Sequence, residues 1–120
     1  MAVYADQSDN QDPVVQVSEQ DLEQADAWLD SQLRARGIDP VLVDPALAGG
    51  VAHPVLNKLA LHYALVLAAT RGQGDEGGIL AEKIRHYREL LAGDLKVLGR
   101  EALGLTPSSA GYGSATLGRA

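Results

Sequence analysis

One segment limits what this chain can become. From Val55 to Ala69 nearly every residue is apolar, with Asn57, Lys58 and His62 as the exceptions, and Pro54 stands in front of it with His53 as its candidate cap. Proline suits a first helical position, because the N–H it lacks would have no partner there and its φ is already helical. A helix apolar around almost its whole circumference has to be wrapped by other elements. Residues 54–71 therefore read as a central helix ended by Thr70, Arg71 and Gly72, with Gln73 to Gly78 as a short polar turn.

Two amphipathic helices are available to wrap it. The first covers residues 18–36. Ser18 is its N-cap, Asp21 takes the capping-box position three residues on, and Val17 and Leu22 form a hydrophobic staple. Leu22, Ala25, Trp28, Leu29 and Leu33 make one apolar stripe, Glu19, Asp21 and Glu23 gather in the first turn, Arg34 and Arg36 in the last, and Gly37 is the stop. The other covers 79–103, where Leu80, Ile84, Tyr87, Leu91, Leu95, Leu98 and Ala102 step by three or four. At ~1.5 Å per residue that rod outruns what so small a core needs. Part of it is expected to project or to meet another subunit, and Gly93 and Gly99 are places where it would bend or fray.

The expected fold is all-α, a small three-helix bundle with extended N- and C-terminal arms. Residues 1–17 form the first arm, with a short strand at Val14 to Val17; 18–104 form the helical domain; 105–120 form the second arm. Residues 38–52 (IDPVLVDPALAGGVA) hold two Asp-Pro pairs and a Gly-Gly, the mark of a connecting loop with at most a helical turn. That loop is too rich in Leu and Val for open solvent, so it is expected to pack on the helices or on a neighbouring chain. In the arms, Tyr4 and Tyr112 are large rings with no local core to enter. With Leu117 and Arg119 they are candidate anchors in a partner.

Composition narrows the function. The 120 residues include 18 Leu, 18 Ala and 10 Val but no Phe and no Cys, enough core for one domain and not two. Without cysteine there are no disulfides, zinc ribbons, iron–sulfur ligands or thiol nucleophiles, and no oxidising compartment is implied. Residues 1–33 carry eight acids and no base, while the remainder is close to balanced. Such a front repels phosphate backbones, which argues against nucleic-acid binding. No run is long and apolar enough to span a membrane, and no basic region followed by an apolar block marks a signal peptide, so no membrane association is expected.

Candidate chemistry is sparse. Gly72-x-Gly74-x-x-Gly77 matches a dinucleotide-binding string, yet it follows a helix and carries Asp75 and Glu76 where a pyrophosphate would sit. It reads as the turn between helices. A carboxylate–histidine set of Glu82, His86 and Glu89, with His62 more distant, lacks the inward carboxylates on several helices that a metal bundle requires. Arg85, His86, Arg88 and Glu89 read instead as a solvated or interface face of the third helix. Trp28 and Tyr63 read as core, joined by Tyr87. The hydroxyls have no His and acid beside them in sequence, so no catalytic residue, cofactor or metal is expected.

The pieces VSEQDLEQADAWLDSQLRARGIDP, NKLALHYALVLAAT and EKIRHYRELLAGDLKVLG, within about residues 14–104, resemble the small helical head-tail connector, or adaptor, proteins of tailed bacteriophages and gene transfer agents. The resemblance implies a structural virion protein of the neck, made in the host cytoplasm. Such proteins are α-helical bundles that form a ring, usually of twelve copies, bound to the portal on one side and to a stopper or tail component on the other. Their terminal arms reach into neighbours or the portal, and the family offers no catalytic residues to transfer. On that reading Glu19, Asp21, Glu23, Asp26 and Asp30 are a candidate acidic channel face past which DNA moves without specific binding. The alternative from another class is an acidic regulatory or inhibitory interaction protein that mimics DNA. An enzyme built on His62 and His86 comes third.

Overall fold

A computed structural model describes residues 2–76 and 78–105. Among these there are three α-helices and no strand: α1, Glu19–Ala35; α2, Pro54–Glu76; and α3, Gly78–Lys96. Short 3-10 turns occupy Gln7–Asp9, Pro40–Val43 and Pro45–Ala48. The protein is a small all-α three-helix bundle in which α2 packs against both other helices.

Local chemistry sets α1. The Ser18 hydroxyl accepts the Asp21 amide at 3.1 Å and the Asp21 carboxylate accepts the Ser18 amide at 2.9 Å, while Val17 and Leu22 are buried as the staple. At the other end Gly37 takes φ 74°. The Gly37 amide donates to Arg34 O and the Ile38 amide to Leu33 O, which closes the helix and drops Ile38 into the core beside Leu33. After it the two Asp-Pro pairs act alike: the carboxylates of Asp39 and Asp44 accept the amides of Val41 and Ala46, both at 3.0 Å, and each proline opens a 3-10 turn.

The central helix starts where expected, with Pro54 first and His53 Nδ1 accepting the Val55 amide at 3.2 Å. Leu56, Leu59, Ala60 and Ala64 are fully buried. Its end differs from the expectation. Gly72 and Gly74 do not form a turn; α2 continues through them to Glu76, and it is the longest helix. At Gly72 the helix runs close to α3, where an added Cβ would stand 3.4 Å from Leu80 Cδ1.

The expectation of an overlong third helix to Leu103 is also corrected. Helix α3 stops at Lys96, and Val97 to Gly104 turn back so that Leu98 and Leu103 both enter the core. A straight rod would carry Leu103 beyond the bundle. Gly104, at φ 73°, closes this return, with its amide on Glu101 O and the Leu105 amide on Arg100 O.

The largest correction concerns the N-terminal arm. Residues 2–17 are not a bare extension, and Val14 to Val17 form no strand. Tyr4, Ala5, Val15 and Val17 are buried in the same core as the helices. Removing each valine from water contributes roughly 1.5–3 kcal/mol before the cost of ordering the segment.

Candidate functional site

The acids of α1 decide how this segment is held. Glu19, Glu23, Asp26 and Asp30 recur at intervals of four, three and four, so they share one face of the helix. Like charges at that spacing repel and need donors. Glu19 accepts the Ala2 amide at 2.6 Å, Asp26 accepts the amides of Val3 and Tyr4 at 2.8 and 3.3 Å, and Asp30 accepts the Tyr4 hydroxyl at 2.7 Å. Asn57 of α2 completes this clasp by donating to Tyr4 O and to the Asp9 carboxylate, both at 3.0 Å.

A second clasp ties the segment to α3. Asp12 accepts the Tyr87 hydroxyl in a short hydrogen bond, meets Lys83 Nζ at 3.0 Å and accepts the amides of Val14 and Val15 at 2.8 and 3.0 Å. Burial works against its charge, but the Tyr87 hydroxyl, the two amides and Lys83 outweigh that and hold its pKa at about 2. Burial and Asp12 together push the Tyr87 phenol up. On α1, Asp21, 3% exposed, takes a two-pronged contact from Arg71 of α2 at 2.5 and 2.9 Å. Burial opposes this charge too, and the guanidinium with the Ser18 amide and hydroxyl brings its pKa below the usual carboxylate value.

These contacts relocate several expected site residues. Tyr4 is 3% exposed and is no free anchor, because the carboxylate stripe and Asn57 supply the local core and polar partners an isolated arm would lack. Glu19, Asp21, Asp26 and Asp30 hold the chain's own amides, hydroxyl and guanidinium, and Glu23 is exposed beside them. Arg85, His86, Arg88 and Glu89 are all exposed on α3. Tyr112, Leu117 and Arg119 lie outside the described residues.

Among the described residues, two apolar surfaces stand out as open. One is the connector, where Val41, Leu47 and Val51 are 67%, 72% and 70% exposed and Leu42 is nearly half exposed. The other is a groove of about 560 Å³ among the three helices. Trp28 and Tyr63, expected as core, are half-buried at its edge and stack at 4.3 Å with planes 10° apart. Leu67, Leu91 and Leu95 line it, with Arg88 at the rim. Of the four α3 interface candidates, Arg88 alone borders this groove.

The histidines come together only loosely. His62 and His86 flank the Tyr87 ring at 5.5 and 5.3 Å. His62 Nδ1 stands 4.0 Å from Asp94 Oδ2, and neither atom has a hydrogen-bond partner. Burial lowers the His62 pKa against the pull of Asp94. Among the described residues no three His, Asp or Glu side chains gather as a metal-binding group, and no helix is long and apolar enough to cross a membrane.

Asp12 and Asn57 were not singled out by sequence as site residues, and Trp28 and Tyr63 were read there as core and not as the edge of a groove. For Asp12 a signal existed: Asp-Pro-Val-Val is an aspartate placed to cap the amides two and three residues on. No family model, curated protein or solved structure matches the chain.

Proposed function

We propose that this chain is a structural adaptor whose working surfaces are completed by other chains, of the head-tail connector kind. Copies form a ring below a phage portal, joining it to a stopper or tail component and leaving a central passage for DNA. The observation that carries the reading is the exposed connector. Two successive Asp-Pro turns carry Val41, Leu42 and Leu47, and Val51 follows them, all exposed, an apolar display that is costly unless another protein covers it. The fold class agrees with that of such adaptors, and the resemblance of residues 14–104 supplies the neck assignment.

The folded-back N-terminal segment changes how this adaptor docks. With Tyr4 in the chain's own core, contact with neighbours falls to the connector, the helical groove and whatever residues 106–120 provide. The acidic DNA-mimic alternative has less support. A mimic presents carboxylates to a basic groove, whereas here Glu19, Asp21, Asp26 and Asp30 accept bonds from the chain itself.

Electron microscopy of the purified chain, alone and mixed with a tailed-phage portal ring, tests the proposal. An annulus that stacks coaxially on the portal is expected. Particles of monomer size that leave the portal bare would refute it.

A further inference from the structure

The two uncovered surfaces are complementary. The groove offers aliphatic side chains, the stacked Trp28–Tyr63 pair and a cation, Arg88, which has no acceptor among the described residues. Trp, Tyr and Arg are the residue types that most often carry binding energy at protein interfaces. The connector offers the converse: exposed Val41 and Leu42 between the exposed acids Asp39 and Asp44, exposed Leu47 three residues after Asp44, and no base anywhere in residues 38–52. Neither surface shares a residue with the other, as the connector borders Leu103 and Leu105 at one end of the bundle while the groove lies along the helices.

We propose that the connector of one copy, residues 39–51, seats in the Trp28–Tyr63–Arg88 groove of the next. Val41 and Leu47 enter the apolar floor and the acids face Arg88. Two different patches make a head-to-tail contact, which repeats from copy to copy and yields a ring if the rotation closes and a filament if it does not. A face paired with itself would stop at a dimer. The inference rests on the reading of the chain as self-assembling, and it names which surfaces meet.

Surface variants test it in mixtures. Arg88→Glu damages the groove and Leu47→Asp the connector, with Val41→Asp as a second connector variant. All three positions are exposed, and circular dichroism melts at wild-type temperatures are expected. In sedimentation velocity the wild type should associate while each variant alone stays monomeric. Mixed in equal amounts, Arg88→Glu and Leu47→Asp should form a species of twice the monomer mass and nothing larger, because one intact connector meets one intact groove. Trp28, the chain's single tryptophan, should shift its emission to the blue in that mixture.

A mixture that stays monomeric overturns the assignment. So does a wild type that stays monomeric, which leaves the groove to residues 106–120 or a foreign protein. Association that persists in every variant also overturns it, by moving the contact elsewhere, and leaves the ring reading intact. Pairing in the mixture beside open filaments of the wild type upholds the contact and removes the ring.

Discussion

Tyr4 joins two demands in one side chain: its ring fills the core and its hydroxyl reaches Asp30. Tyr4→Phe keeps the ring and loses a donor to the Asp30 carboxylate, which should cost about 1–3 kcal/mol, whereas Tyr4→Ala also empties the core and should cost about 3 kcal/mol or more, as read from denaturant midpoints. Tyr87→Phe removes a donor from a charged acceptor and should cost about 1–3 kcal/mol. The acid response follows from the same contacts. Asp12 and Asp21 have pKa values depressed by folding, so their stabilisation is complete above the unfolded value of 3.8 and is lost as pH falls, for Asp12 toward about 2. Asp26 acts in the other direction, since burial, with Asp30 and Glu19 nearby, raises its pKa against the Val3 and Tyr4 amides, and acid relieves that cost. Two groups against one, thermal melts should drop between pH 4 and 2, and less steeply in Tyr87→Phe. If the wild type and Tyr87→Phe lose stability in parallel over that range, the Asp12 clasp is not what acid opens.

At the scale of elements, glycines separate two kinds of position. Gly37 needs positive φ to close α1, so Gly37→Ala should destabilise by about 1 kcal/mol. Gly93 lies inside α3, where a Cβ would meet nothing, so Gly93→Ala should stabilise by about 0.5–1 kcal/mol. Opposite shifts in melting temperature are the check. The same contrast explains what could be read in advance. The cap, staple and stop of α1 and the start of α2 depend on residues within a few positions of each other, and they were legible. The end of α2 was not, because Gly72 and Gly74 read locally as helix breakers, yet the helix runs on through them to Glu76. Nor was the return of Leu98 and Leu103, which keeps a helical period in sequence while leaving the helix in space. The N-terminal segment escaped for a different reason. It is held by carboxylates and Asn57 gripping backbone groups, and such bonds leave no periodic trace in the chain they hold. The candidate site was legible in part: the apolar excess of residues 38–52 pointed to a covered surface, but the half-buried stacking of Trp28 on Tyr63 looks in sequence like any core pair.

At the scale of the whole molecule, the N-terminal third is internally satisfied and the unfinished surfaces lie on the connector and the groove. Its acids accept bonds from amides, hydroxyls and cations of the same chain, so raising salt should weaken any assembly less than it would weaken a carboxylate-driven mimic in a basic groove. Sedimentation across a salt series checks this, and steep dissociation with ionic strength would favour the mimic. The most direct measurement is native mass spectrometry of the intact chain at high micromolar concentration. The expected spectrum has one dominant assembly at a single fixed multiple of the chain mass, as a closed ring requires; monomer alone, or a ladder with no preferred multiple, would contradict it.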